Sequence, residues 1–187
     1  VTRPLWRPSE VSYDSFVAHL EQAHGFPTYL PWPLSPGWEV TDFAVVGDDH
    51  AATATLTCVS GPSEPDGPVD VLVVAEEAGV GLGARCARTK GSDPGAEVGH
   101  GPPAVRLRIG SQPVPLWPVS WWGADHPIDG EWDRSVLAGE AGGRWLWLVL
   151  RPASAVLLLQ EEWQLRDVSG LGMALVEVPF GGPRTPW

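Results

Sequence analysis

The residues whose types and spacing come closest to a chemical site are Gly79, Gly81, Gly83 and Arg85, in the run Gly79-Val80-Gly81-Leu82-Gly83-Ala84-Arg85 after the apolar stretch Val69–Ala75. Gly79, Gly81 and Ala84 fit the G-x-G-x-x-G/A pattern, in which glycines let backbone N–H groups close on a phosphate, and Arg85 would add a cation. The chemistry would be that of an enzyme acting on a small molecule or binding a nucleotide or an acyl phosphate. Such a site also needs a helix after the loop and an acidic ribose partner on a second parallel strand. Here Arg88–Gly101 runs into glycine and proline, and Glu76 and Glu77 put negative charge directly before the glycines. The plainer reading is a glycine-rich turn or bulge leaving a strand.

Metal chemistry has two thin clusters, Asp48-Asp49-His50 and Asp125-His126 with Glu131, neither at a recognised ligand spacing. His19 and His24 stand five apart, which does not put two imidazoles on one helical face. Solvated turn residues are the default for both clusters. Cys58 and Cys86 have no Cys or His at ligand spacing and read as buried free thiols. In a strand, Glu76-Glu77 and Glu161-Glu162 would each point to opposite faces, so neither pair forms a shared-proton dyad. A nucleophile elbow, a P-loop and a kinase or deaminase signature are all missing from the sequence, and no cofactor is expected.

That leaves tryptophan, of which there are eleven. An indole offers a large apolar face and one N–H donor, so it serves cores and recognition surfaces alike. Trp145 and Trp147 share one face of an expected strand and belong to the core. Trp117, Trp121, Trp122 and Trp132 surround a polar, turn-rich segment with Gly123, Pro127 and Gly130. They mark either a contact surface or a loop that buries its own indoles against the sheet edge. The proline-rich Leu30–Trp38 segment is a candidate extension of that surface. A noncatalytic binding or regulatory module is therefore the leading expectation, with a curved-sheet pocket for an apolar ligand as a further one.

Charge narrows the partner. With 12 basic against 23 acidic residues the net charge is −11, which disfavours nucleic acid and anionic membrane surfaces. Another protein is the partner class that remains. No charged segment followed by an apolar one opens the chain as in a secretory signal, and cysteines are few, so a cytoplasmic location is expected. Eleven of the basic residues are arginine and Lys90 is the one lysine, a bias typical of GC-rich coding.

The elements that must position these residues follow from periodicity. Ser12–Ala23 reads as an amphipathic helix capped by Ser12 or Asp14 and ended by Gly25. Pro27, Pro31, Pro33 and Pro36 keep the next stretch extended and out of any central strand. Strands are expected at Trp38–Val46, with Trp38, Val40, Asp42, Ala44 and Val46 on one face by simple alternation, and at Ala52–Ser60, Val69–Ala75, Ala104–Ile109 and Val114–Val119. A buried hairpin is expected from Trp145–Leu150 and Val156–Leu159 across Arg151-Pro152-Ala153-Ser154, and two more strands at Trp163–Val168 and Ala174–Val178. The fold class is α+β, mainly β: a curved antiparallel sheet or half-barrel with one N-terminal helix. At 187 residues this is a single domain. It divides into a helical segment over 1–26, an extended segment over 27–38, a β core over 39–180 and a tail over 181–187.

The motifs LPWPLSPGW (Leu30–Trp38), VLVVAEEAGVGLGAR (Val71–Arg85), PVPLWPVS (Pro113–Ser120) and AGEAGGRWLWLVLRP (Ala138–Pro152) together resemble an uncharacterised family of actinobacterial proteins. The resemblance covers most of the chain from Pro27 onward. Members of that family often carry a Cys-x2-Cys segment ahead of the proline-rich stretch, and none is present here. Some relatives carry an acyl-phosphate transferase label, whose chemistry finds no independent support in these residues. The resemblance implies a cytoplasmic bacterial protein and assigns no catalytic residue.

Overall fold

The computed structural model describes residues 3–120, 133–160, 163–184 and 186–187. In chain order the elements are β1 (Leu5–Trp6), α1 (Tyr13–Ala23), β2 (Tyr29–Pro31), β3 (Glu39–Gly47), β4 (Ala52–Ser63), β5 (Gly67–Glu76), α2 (Leu82–Ala87), β6 (Val105–Ile109), β7 (Gln112–Pro118), β8 (Ser135–Ala141), β9 (Arg144–Arg151) and β10 (Gln164–Asp167). Two 3-10 segments, Ala153–Gln160 and Gly172–Glu177, complete the set among the described residues. The fold is mainly β. Its strands form one open sheet in the order β1-β3-β4-β5-β9-β8-β7-β6-β10-β2, antiparallel except where β10 runs parallel to β6.

Both faces of the sheet are covered, which explains why β5 is apolar along nearly its whole length. Val71 and Val73 join Phe16 of α1, Phe43, Leu148 and Leu165 in one core, while Leu72 and Val74 join Leu56, Cys58, Trp147 and the short α2 in the other. Cys58 and Cys86 are buried there outside any disulfide, and burial pushes the Cys86 pKa up. Trp147 is fully buried and Trp145 packs half-buried beside the same core. No described helix is long and apolar enough to cross a membrane.

The far end of the sheet turns back over its own inner face. Trp32 donates its backbone N–H to Gln164 O at 3.0 Å, and Thr28 O accepts from Val168 N at 2.8 Å, so even-numbered positions of this segment pair with β10. Odd-numbered positions face the other way, and two of them, Pro27 and Pro31, have no N–H to leave unpaired. Two carbonyls on that edge find donors on β4: Thr57 Oγ1 donates to Tyr29 O at 2.7 Å, and Thr55 Oγ1 to Pro27 O. The prolines thus fit an edge, as expected of them.

Helix α1 begins with a reciprocal cap, Ser12 Oγ accepting from Ser15 N at 3.1 Å and Ser15 Oγ from Ser12 N at 2.9 Å. His24 in left-handed conformation ends it, one residue before Gly25.

Three expectations need correcting. A β-bulge between Val40 and Asp42 breaks the assumed alternation of β3, so Val40 joins Phe43 and Val45 in the inner core. The buried hairpin is β8–β9, turning through Gly142 and Gly143 at φ 59° and 78°, and Val156–Leu159 lies in a 3-10 segment instead. Ala174–Val178 likewise falls largely in the second 3-10 segment. Short apolar runs do not distinguish strand from helix by pattern, and Leu157 and Val176, at 58% and 55% exposed, break the alternation a half-buried strand would need.

The bulge also sends Asp42, fully buried, to the outer face. There its carboxylate meets the Arg7 guanidinium, Arg184 Nη2 at 3.6 Å and Trp187 Nε1 at 2.8 Å, while Arg7 and Arg85 lie 4.7 Å and 5.3 Å from the centre of the Trp187 ring. One carboxylate therefore gathers segments from both ends of the described chain. Breaking such a buried charged network is costly, because it leaves an uncompensated charge.

His19 is the buried group with the clearest consequence in solution. Its ring stacks on Phe16, meets Phe43 edge-on, and joins Thr28 Oγ1 through Nε2 at 3.0 Å. Burial lowers its pKa from 6.5 to about 3, so it stays neutral in the fold and takes a proton near pH 6.5 when unfolded. The resulting contribution to stability is complete above pH 6.5 and declines as pH falls toward 3, by roughly 2 kcal/mol at pH 5. Burial raises the Glu76 pKa and acts in the opposite sense, so the comparison must be with a variant. Urea melts at pH 8 and pH 5 should show His19→Leu losing about 2 kcal/mol less than the parent. Equal losses would rule this account out.

Candidate functional site

The proline-rich segment and the start of β10 build the most aromatic opening on the described surface. Pro31 ends β2, and Gln164 locks the next residue in place. It accepts the Trp32 N–H at its backbone carbonyl and donates Nε2 to Trp32 O at 3.1 Å. Trp38 lies behind, edge-on to Trp163 with ring centres 5.1 Å apart. Its floor is Gly61, where a Cβ would come within 2.3 Å of the Trp38 ring. Trp38 is buried, whereas Trp32 and Trp163 are half-buried and wall a groove of about 420 Å³ together with Pro31, Leu34 and Gln164.

The glycine loop is built for a different purpose. Glu76, the last residue of β5, is fully buried and turns its carboxylate onto the start of α2. Oε2 accepts from Leu82 N at 2.8 Å and Gly83 N at 3.2 Å, and Oε1 accepts from Trp147 Nε1 at 2.7 Å. Gly79 N donates to Asp93 Oδ1 at 2.7 Å. The amides a phosphate would need are thus largely engaged by carboxylates of the chain itself. Gly81 starts α2 in left-handed conformation, and Gly83 lacks a Cβ because the Trp147 ring lies 2.3 Å from where that atom would be. Arg85 is exposed. With Arg3 and the loop backbone it lines a separate cleft of about 580 Å³.

Of the expected tryptophan surface, Trp117 is half-buried on β7 and its Nε1 donates to Gly101 O at 3.1 Å. Trp121, Trp122 and Trp132 lie outside the described residues, as do Asp125, His126 and Glu131. In the other acidic cluster, Asp48 Oδ1 accepts from His50 N at 2.9 Å and Ala51 N at 3.0 Å, making a turn. Among the described residues, no group of three or more His, Cys, Asp or Glu is placed to hold a metal ion.

Sequence reasoning named Leu30–Trp38 but missed Trp163 and Gln164, which complete the groove. No local pattern joins residues so far apart in the chain; the hint was a tryptophan opening an expected strand.

Residues 2–186 match the model of a family described as a family of unknown function, DUF6758. The chain belongs to this family. No curated protein and no solved structure matches it. Membership brings no activity with it, so function must be argued from geometry.

The two glycine environments can be separated by substitution. Gly79→Ala meets open space and costs about 1 kcal/mol through its positive φ, whereas Gly83→Ala drives a methyl into Trp147 and costs about 2 kcal/mol or more. Gly83→Ala should also alter the near-ultraviolet circular dichroism of the indoles. Unchanged melting and an unchanged spectrum for Gly83→Ala would refute the packing role.

Proposed function

We propose that this protein is a noncatalytic binding module that takes up an extended segment of another protein in the groove walled by Trp32 and Trp163. The observation that carries the reading is the pair of half-buried indoles facing an open groove, backed by the buried Trp38. Tryptophan supplies large contact area with little side-chain entropy to lose, and proline-restricted backbone supports a preformed wall. Grooves lined in this way suit extended proline-containing segments. Buried cysteines outside any disulfide fit a reducing cytoplasm, and the motif resemblance points to an actinobacterial source.

A second reading rests on the cleft beside Gly79, where Arg3 and Arg85 would meet a small anion such as an acyl phosphate. Thermal-shift measurements with nucleotides and acyl phosphates separate the two, since a ligand that binds only the native state raises its melting temperature.

The groove is tested by selecting peptides from a displayed library against the intact chain, then measuring their affinity for Trp32→Ala and Trp163→Ala. Each substitution should weaken binding about tenfold or more while far-ultraviolet circular dichroism stays unchanged. Selected peptides that bind both folded variants as tightly as the parent would reject the proposal.

A further inference from the structure

The groove does not stop at Trp163. Trp163 and Gln164 also line a second, contiguous space of about 610 Å³, whose other walls include Leu159, Arg106 and Arg108. On β6 the buried Leu107 alternates with exposed Arg106 and Arg108, and on β10 the buried Leu165 alternates with exposed Gln164 and Arg166. Gln164 stands opposite Arg108 in the parallel pairing of these strands, so the three arginines and the glutamine share one face. Arg3, Arg7, Arg144, Arg151 and Arg184 each have a carboxylate partner within 4.0 Å. Among the described residues, Arg106, Arg108 and Arg166 have none. In a chain with 23 acidic residues and a net charge of −11, these arginines form, among the described residues, a cluster of cations at one end of an aromatic groove.

We infer that the segment bound in this groove is acidic, with carboxylate side chains on the Arg106 and Arg108 side of the apolar residue that sits between Trp32 and Trp163. The inference rests on the binding reading above and adds the chemical class of the partner. Guanidinium groups present paired donors matched to carboxylates, and unpaired arginines at an open groove can engage them without first breaking an internal ion pair. A carboxylate-bearing protein segment is favoured over a nucleic acid because the rest of this acidic surface repels a long polyanion, whereas a short segment places its few charges on the arginines alone.

The test uses the intact chain and a labelled extended peptide of proline and leucine with interspersed glutamates, a twin with every Glu replaced by Gln, and a short oligothymidylate. The acidic peptide should bind about tenfold tighter than its twin at low salt and lose that advantage at high salt. Arg106→Gln with Arg108→Gln should abolish the advantage, and Trp163→Ala should weaken both peptides. Equal binding of the two peptides, still dependent on Trp163, overturns the acidic preference and leaves the groove reading standing. Peptide binding indifferent to Trp163 overturns both. Arginine-dependent binding of the oligothymidylate tighter than that of the acidic peptide also overturns the inference.

Discussion

Two threonine hydroxyls on β4 hold the far end of this sheet, and the walls of the candidate groove depend on them. An edge strand leaves a row of backbone groups without a ladder partner, and buried carbonyls without donors cost free energy. At β2 the problem is solved without another strand: prolines remove two donors, and Thr55 and Thr57 supply hydrogens to the carbonyls of Pro27 and Tyr29. With β2 fixed on one side by these hydroxyls and on the other by β10, Trp32 and Trp163 are brought to adjacent positions. A groove whose walls are set by buried backbone hydrogen bonds is already ordered before a partner arrives, which lowers the entropic cost of binding.

The opposite face has its own constraint in Glu76. A buried carboxylate is tolerated where it receives hydrogen bonds, and this one receives them from two amides and an indole. It ties the end of β5 to α2 and to Trp147, so the glycine loop is drawn against the sheet. The same features that resemble a phosphate loop in the sequence serve close packing: a glycine for the turn, a glycine under an indole, and a carboxylate at the amides that an external anion would have used.

The mainly β fold, the N-terminal helix and most strand positions were legible from alternation and β-branched residues. The failures have a common physical source. Val156–Leu159 and Ala174–Val178 are apolar runs too short to reveal their period, and the bulge in β3 moves Val40 to the face opposite Asp42, Ala44 and Val46. The double glycine at 142 and 143, which turns the β8–β9 hairpin, was a stronger signal than the Arg151–Ser154 turn. Half of the groove was visible as prolines and tryptophans between Leu30 and Trp38. The other half was not, because Trp163 reaches it through the antiparallel pairing of β10 with β2 and Arg106 through the parallel pairing of β10 with β6, long-range contacts that local pattern does not encode.

Whether β4 hydroxyls set the wall of the groove can be read from amide hydrogen exchange in Thr57→Val. Removing that donor leaves the buried Tyr29 carbonyl unsatisfied, at a cost of about 1–3 kcal/mol. The Trp32 and Val168 amides, which join this segment to β10, should then exchange about tenfold faster or more, while Leu146 and Leu148 of β9 speed up by no more than the loss of global stability seen in urea melts. Unchanged exchange at Trp32 and Val168 in the folded variant would contradict the account.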